Sequence, residues 1–173
     1  IIKTVKQISP VFGGINLEDI SAPRCFEIEE RLQDIGIPVF HDDQHGTAIV
    51  VLAALMNAAK YTGKQFSDLR IVINGAGAAG ICIARYLGKK DPFAANQLLV
   101  KDIIVCDTEG IIHKGRPKLN SIKQELLTYT NKENFTGDIK IAIRNADVFI
   151  GVSKENLLTA EDIRSMAKEP IIF

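Results

Sequence analysis

One glycine-rich segment has the G-x-G-x-x-G spacing that suits a dinucleotide pyrophosphate, Gly75-Ala76-Gly77-Ala78-Ala79-Gly80. In such a segment the first glycine allows a tight turn, and the second leaves room for the pyrophosphate beside the backbone. The third lets the following helix lie close to the preceding strand. Free N–H groups at the start of that helix stabilise the anion. The segment predicts dinucleotide binding; the alternative is a tight strand-to-helix turn that binds no ligand.

Two pairs of adjacent carboxylates form a second group suited to chemistry, Glu18-Asp19 and Asp42-Asp43. Each pair follows a short apolar segment that reads as a strand, and sites in α/β folds lie at strand ends. Mg²⁺ and Mn²⁺ take oxygen ligands, and three carboxylates could hold one ion while leaving positions for a substrate. The spacing leaves two other interpretations open: a solvated acidic turn for the first pair and helix-dipole partners for the second.

The histidines and cysteines do not form a further metal-binding pattern. His41 and His45 flank the second acidic pair and could serve as zinc ligands or bases, but no additional ligand spacing supports that role. We interpret both as polar loop residues or packed residues. Cys25, Cys82 and Cys106 are odd in number and lack metal-site spacing, which indicates buried thiols in a reducing compartment.

A dinucleotide-binding glycine segment is usually accompanied by an acidic residue on the next strand. Asp107 has that position, at the end of the apolar run 103–106. Such a residue usually binds the adenine ribose hydroxyls. Asp107 lies 27 positions after Gly80 (107 minus 80), beyond the usual ~20, and a polar connection over 89–101 accounts for the excess. The basic residues of the next loop could meet a 2′-phosphate or be solvated; they are Lys114, Arg116 and Lys118.

Alternating helices and strands from residue 40 onward predict a Rossmann-type, doubly wound parallel sheet. The predicted strands are 71–73, 103–106, 147–150 and 170–173, and the predicted helices are 81–87, 121–129, 138–145 and 159–167. Gly88 is a candidate C-cap, and Thr159 begins a capping-box-like sequence. The turn Val152-Ser153 follows the third of these strands, where it would lie over a bound dinucleotide.

The residues before the glycine segment predict a mixed region. Pro10 should stop any early helix, and 15–17 and 37–40 read as short strands around an amphipathic helix, 23–36. The helix 48–61 is apolar nearly all round, so we expect it to be buried, with Thr47 as its N-cap.

Composition excludes several classes of partner. The chain has 173 residues, 46% of them hydrophobic, with 21 Lys plus Arg against 21 Asp plus Glu. This balance does not favour nucleic acid or a membrane surface, and no apolar run reaches the ~18–20 residues that span a bilayer. The chain begins at Ile1 and ends within the apolar run 171–173, so we expect it to be an excerpt of a longer protein.

Three stretches resemble the bacterial-type malic enzymes: Gly13-Gly-Ile-Asn-Leu-Glu-Asp-Ile20, the run from Phe40 to Met56 that contains His-Asp-Asp-Gln-His-Gly-Thr, and Val72-Ile-Asn-Gly-Ala-Gly-Ala-Ala-Gly80. The second stretch is the most specific, and the similarity extends over the whole chain.

The resemblance implies oxidative decarboxylation of L-malate to pyruvate and CO₂, with NAD or NADP and Mg²⁺ or Mn²⁺. Under it, Glu18, Asp19 and Asp43 are metal ligands, and Asp42 lies beside the catalytic lysine. The dinucleotide-binding residues that it implies are Thr47 near the phosphates, the loop Gly75, Ala76, Gly77, Ala78, Ala79 and Gly80, then Asp107, and Val152 and Ser153 near the ribose.

The same resemblance places the general-base lysine and the proton-donating tyrosine upstream of the residues given. It implies that 1–41 is a fragment of a preceding malate- and metal-binding domain and that 42–173 is the NAD(P)-binding domain. We therefore expect the isolated chain to be inactive, and the whole enzyme to be a cytoplasmic homo-oligomer. Two alternatives stay open: a dinucleotide-binding regulatory or sensor module without catalysis, and the cofactor domain of an amino-acid dehydrogenase.

The residues do not decide between NAD and NADP. Asp107 would repel a 2′-phosphate by charge, yet malic enzymes keep an acidic residue there with either cofactor. Thr108, Lys114 and Arg116 could compensate.

Overall fold

The computed structural model describes residues 1–89 and 99–173. Most of the predicted polar connection over 89–101 therefore lies outside the described residues. The described chain contains a five-stranded sheet with helices on both faces and, before it, a smaller region built on a two-stranded sheet.

The five-stranded sheet confirms the predicted parallel α/β fold. Its strands are β3 (Arg70–Asn74), β4 (Asp102–Asp107), β5 (Gly110–Ile111), β6 (Val148–Gly151) and β7 (Ile171–Ile172). Their order is β5-β4-β3-β6-β7, and only β5 runs antiparallel to its neighbour. β4 and β6 lie on opposite sides of β3, so the winding direction reverses there. That reversal opens a crevice at the carboxyl ends of β3 and β6.

Helices cover both faces because these strands are rich in Ile and Val and are buried on both sides. The helices are α3 (Thr47–Thr62), α4 (Ala78–Gly88), α5 (Ser121–Leu126), α6 (Ile139–Ala142) and α7 (Ala160–Arg164). The first three contribute to the core on one face of the sheet, and the last two contribute to the core on the other. The predicted capping box at Thr159 is present, with Asp162 as its partner.

The smaller region contains α1 (Ile2–Ile8), β1 (Ile15–Leu17), α2 (Arg24–Glu30) and β2 (Val39–His41). β1 and β2 pair in parallel, with Leu17 opposite His41. Their buried residues form a separate small core, to which Ala78 at the start of α4 also packs. Because the strands are parallel and in this register, Glu18-Asp19 and Asp42-Asp43 emerge at the same edge.

The early helix stops before Pro10, as predicted: α1 ends at Ile8, and Pro10 lies in the first turn of a 3₁₀ segment, Ser9–Val11, where proline is tolerated. The prediction for the start of α3 is wrong. Thr47 is not the N-cap of α3, because it is already the first residue of the helix. The residues Asp42–Gly46 form one π-helical turn that runs directly into α3, so both Gly46 and Thr47 have right-handed helical backbone angles.

The expected burial of α3 is also wrong. Only Ala48, Leu55 and Ala59 of this helix are buried, whereas the side chains of Val50 and Tyr61 are 68% and 93% exposed. The reason is geometric: one side of α3 lies on the sheet and α4, and no other described element covers its far side. Gly88, the expected C-cap, is instead the last residue of α4.

Among the described residues, no helix combines the length and the apolar character that crossing a bilayer requires.

Candidate active site

The glycine segment forms the turn between β3 and α4. Gly75 has a φ of +128°, which L side chains rarely adopt, and its N–H donates to the carbonyl of Cys106 at 2.9 Å. A Cβ placed on Gly80 would lie 1.7 Å from the carbonyl oxygen of Gly75. Only glycine therefore lets α4 begin so close to β3. These two glycines have the steric roles that the sequence predicts for the first and third positions.

Gly77 differs from its neighbours because it faces open space. A Cβ placed there would have no described atom within 4 Å, and its backbone precedes the first turn of α4. Gly77 lines a cavity of about 510 Å³ together with Asn74, Gly75, Ala76, Asp107, Val152 and Ser153. A cavity at a helix N-terminus, next to a glycine without a side chain, suits an anionic pyrophosphate.

The structure thus brings the glycine turn, Asp107 and the Val152-Ser153 turn to one cavity. Ala78 and Ala79 lie just behind it, in the first turn of α4, and Thr47 is not among its lining residues. Sequence reasoning missed Asn74, whose side-chain amide donates to the Ser153 hydroxyl at 2.7 Å. That bond joins the ends of β3 and β6 across the crevice. An asparagine at the end of an otherwise apolar strand was the signal for it.

Four donors surround the carboxylate of Asp107. The two Nη atoms of Arg116 lie 2.8 and 2.9 Å from its oxygens, Nζ of Lys123 lies at 2.6 Å, and the backbone N–H of Glu109 donates at 2.9 Å. Burial acts to raise the pKa of Asp107, but the hydrogen bonds from Arg116 and Lys123 outweigh it and hold that pKa below its usual value. The side chain is 10% exposed.

This arrangement changes the electrostatic argument about the cofactor. The charge of Asp107 is balanced by Arg116, as one sequence alternative allowed, and by Lys123, which sequence reasoning missed. Ribose hydroxyls that approach Asp107 would have to replace one of the present donors, so its role as a ribose ligand stays a prediction. Lys114, Arg116 and Lys118 line a neighbouring cavity of about 580 Å³.

The acidic pairs lie side by side but do not form a closed ligand set. Oδ2 of Asp43 accepts a hydrogen bond from the backbone N–H of Asp19 at 2.9 Å. Asp42 bends over Gly46, where an added Cβ would lie 2.0 Å from Oδ1 of Asp42. In residues 1–89 and 99–173, no three side chains of His, Cys, Asp or Glu converge closely enough to hold a metal ion. The oxygen donors suit Mg²⁺ or Mn²⁺, and the metal site of Glu18, Asp19 and Asp43 stays a prediction.

The two histidines next to these aspartates have different surroundings. His41 is completely buried, and neither ring nitrogen has a hydrogen-bond partner in the described part of the chain. His45 lies with Nε2 2.7 Å from Oε1 of Glu29 and with Nδ1 3.6 Å from the sulfur of Cys82. The contacts with Cys82 and Glu29 raise the pKa of His45 to about 10. His45 therefore contacts Glu29 and Cys82, two partners that sequence reasoning missed.

The family model for the NAD-binding domain of malic enzyme matches residues 44–173, and the model for the N-terminal domain of malic enzyme matches residues 1–33. This chain belongs to the malic enzyme family. The family match decides against an amino-acid dehydrogenase, which was an open alternative.

Curated malic enzymes match over the whole chain. The bifunctional malic/malolactic enzyme of Bacillus subtilis is 53% identical over 100% of this chain and 41% of its own length. The NAD-dependent malic enzyme of Geobacillus stearothermophilus is 51% identical over 100% of this chain and 35% of its own length. The crystal structure of the NAD-dependent malic enzyme of Thermotoga maritima has a TM-score of 0.90 at 45% identity, covering 99% of this chain and 44% of that one. The chain thus spans less than half the length of these relatives.

Gly77→Val tests the glycine turn. We expect it to abolish NAD and NADP binding, because its side chain would project into the space that the pyrophosphate needs. Folding should be retained, since the position is open and its backbone, with φ −91° and ψ −162°, is extended. Calorimetric titration with each dinucleotide measures the effect. Gly13→Val, another glycine in open space, is the control and should bind normally. Unchanged affinity in Gly77→Val would reject the assignment.

Asp107→Asn tests the charge cluster. It removes the anionic partner of Lys123 and one of the two anionic partners of Arg116, which also contacts Glu109 at 2.9 Å. Breaking a buried pair typically costs about 3–5 kcal/mol. Because the folded-state pKa of Asp107 is lowered, its stabilisation is present above the unfolded-state pKa of about 3.9 and is lost as pH falls through the folded-state value. Urea unfolding should show a large loss of stability at pH 7 that shrinks below about pH 4.

The control for this series is Glu133→Gln, which removes an exposed ion pair with Arg70 and should cost ~0–1 kcal/mol. Equal losses in the two variants at pH 7 would contradict a special role for the Asp107 cluster.

Proposed function

We propose that the protein containing this chain catalyses oxidative decarboxylation of malate: L-malate and NAD(P)⁺ react to give pyruvate, CO₂ and NAD(P)H. One observation carries this proposal. Ala78, which opens α4 just after the glycine turn, packs against the small core that contains Leu17 and Ile20. These two residues flank Glu18 and Asp19, so the dinucleotide turn and the predicted metal ligands belong to one packed unit.

The role that we assign to each residue follows from its chemistry. Glu18, Asp19 and Asp43 would hold Mg²⁺ or Mn²⁺, which supplies Lewis-acid polarisation of the substrate oxygen and charge stabilisation of the enolate left by CO₂ loss. The turn Gly75–Gly80 would hold the pyrophosphate and Val152-Ser153 the ribose of NAD(P), which would supply the hydride acceptor. Asp42, exposed beside this site, would fix a lysine contributed by residues outside this chain.

We also propose the domain boundary between residues 41 and 42, with 1–41 in the malate- and metal-binding domain and 42–173 in the NAD(P)-binding domain. The separate core around β1 and β2 supports this division, as does the continuity of the turn Asp42–Gly46 with α3. The three free, buried cysteines suit the reducing cytoplasm.

The isolated 173-residue chain should bind NAD or NADP but should not oxidise malate. The predicted dinucleotide-binding residues lie within the chain, whereas the resemblance places the lysine and tyrosine that the family uses for proton transfer outside these residues. General acid and base groups contribute typically ~10²–10⁴-fold each. Fluorescence titration measures binding, and malate-dependent reduction of each dinucleotide with Mn²⁺ measures turnover. Turnover close to that of a complete malic enzyme would show that the catalytic base lies within these residues and that the proposed assignment of roles is wrong.

In the full-length enzyme, Asp43→Asn should weaken Mn²⁺ binding at least about 10-fold, because an anionic ligand becomes neutral. Turnover should fall even at saturating metal, since the enolate is then less well stabilised. Asp34→Asn, in the exposed loop after α2, is the matched control and should behave as wild type. If the rate of Asp43→Asn depends on metal concentration as the wild-type rate does, Asp43 is not a ligand.

A further inference from the structure

The side chain of His45 joins three separate parts of the chain. It lies on the turn Asp42–Gly46, and its Nε2 is 2.7 Å from Oε1 of Glu29 on α2. Its Nδ1 is 3.6 Å from the sulfur of Cys82 and 3.4 Å from the hydroxyl of Tyr86, both on α4. Glu29 is 11% exposed and His45 is 29% exposed, so solvent only partly screens this ion pair. A short contact that is largely shielded from solvent, with further contacts to α4, restrains His45 from two sides.

A second contact joins the same turn to the N-terminal region. Two residues before His45, Oδ2 of Asp43 accepts the hydrogen bond from the backbone N–H of Asp19 at 2.9 Å. The turn is therefore attached to the N-terminal region at two points, one through Asp19 and one through Glu29. Both partners lie within the part of the chain that matches the N-terminal domain of malic enzyme, residues 1–33, whereas His45 lies within the NAD-binding domain match.

The turn needs such external support because of its own conformation. It is a single π-helical turn, a rare form that is frequently found at functional sites. Within the described chain it begins at His41 without a side-chain capping bond, and the strands that precede the two acidic pairs are only three residues each. Little in the local backbone therefore determines the direction in which Asp43 points. The contacts of His45 with α2 and α4 supply that constraint from the opposite side of the turn.

We propose that His45 is a positioning residue for the metal site: through Glu29 and α4 it holds the turn Asp42–Gly46 so that Asp43 faces Glu18 and Asp19. This inference rests on the proposed function, and it adds a pair of residues to which neither the glycine motif nor the carboxylate set assigns a role. In this role His45 acts through the turn and is not itself one of the proposed metal ligands.

The proposal predicts a selective loss of metal affinity. Groups that orient metal ligands typically change metal affinity 10–100-fold when they are removed, so His45→Gln in the full-length enzyme should weaken Mn²⁺ binding by about that factor. NAD(P) affinity should stay close to wild type, because His45 does not line the cavity beside the glycine turn. A merely structural role would instead lower both affinities together.

The experiment is a titration with Mn²⁺ alone, in which electron paramagnetic resonance measures the free ion. A parallel titration measures dinucleotide binding. The variants are His45→Gln, Glu29→Gln and the double variant, with circular dichroism and thermal melting to check folding. Because the two residues act through one contact, the double variant should bind Mn²⁺ no more weakly than the weaker single variant. Arg31→Gln is the matched control. It removes an exposed ion pair between Arg31, directly after α2, and Glu27 within that helix.

Three results would overturn the proposal. If Asp43→Asn weakens Mn²⁺ binding but His45→Gln and Glu29→Gln do not, the metal site is supported and the positioning role is wrong. If none of the three variants changes Mn²⁺ affinity, the metal assignment fails together with the positioning role. If His45→Gln lowers Mn²⁺ affinity, dinucleotide affinity and melting temperature to a similar degree, His45 is a general structural residue.

Discussion

The approach of α4 to β3 is the constraint on which the rest of this structure depends. With no Cβ at Gly80, the helix begins in contact with the carbonyl of Gly75, closer than any other residue would allow. This contact fixes the position of the helix N-terminus relative to the sheet, and so the position of the cavity beside Gly77. It also brings Ala78 against the small N-terminal core. One steric requirement thus sets both the dinucleotide site and its distance from the acidic pairs.

The charged side chains near the contact between α4 and β3 form two compact groups. In the cavity beside Gly77, Arg116 and Lys123 neutralise Asp107, so the field there is not that of a lone carboxylate. Outside this cavity, at the turn Asp42–Gly46, His45 contacts Glu29 while Glu18, Asp19 and Asp42 stay exposed. The two groups have opposite consequences. The first removes repulsion toward a phosphate, and the second leaves acidic oxygens available for a cation.

The turn between β2 and α3 is where the two regions of the chain meet. Its backbone continues into the helix α3 without a capping residue, whereas its side chains contact the N-terminal region and α4. A turn held mainly by side-chain contacts can change orientation when those contacts change, which a rigid strand end cannot do.

Short-range features were determined by the sequence alone. The apolar strands 71–73 and 103–106, the glycine spacing, the capping box at Thr159 and the alternation of helix and strand each depend on a few neighbouring residues, so the parallel fold and the dinucleotide turn followed from the residues themselves. The motifs around Asp42-Asp43 indicated the family for the same reason.

Only the tertiary structure decided the features that depend on distant residues. Lys123 reaches Asp107 across 16 positions, and Glu29 reaches His45 across an equal interval; no local pattern encodes either contact. The exposure of Val50 and Tyr61 depends on which elements cover α3, and the π-helical turn at Asp42–Gly46 contacts α2 and α4 through His45. These features could be identified only in the folded chain, because each forms where segments far apart in sequence pack together. The energy of that packing outweighs local conformational preference.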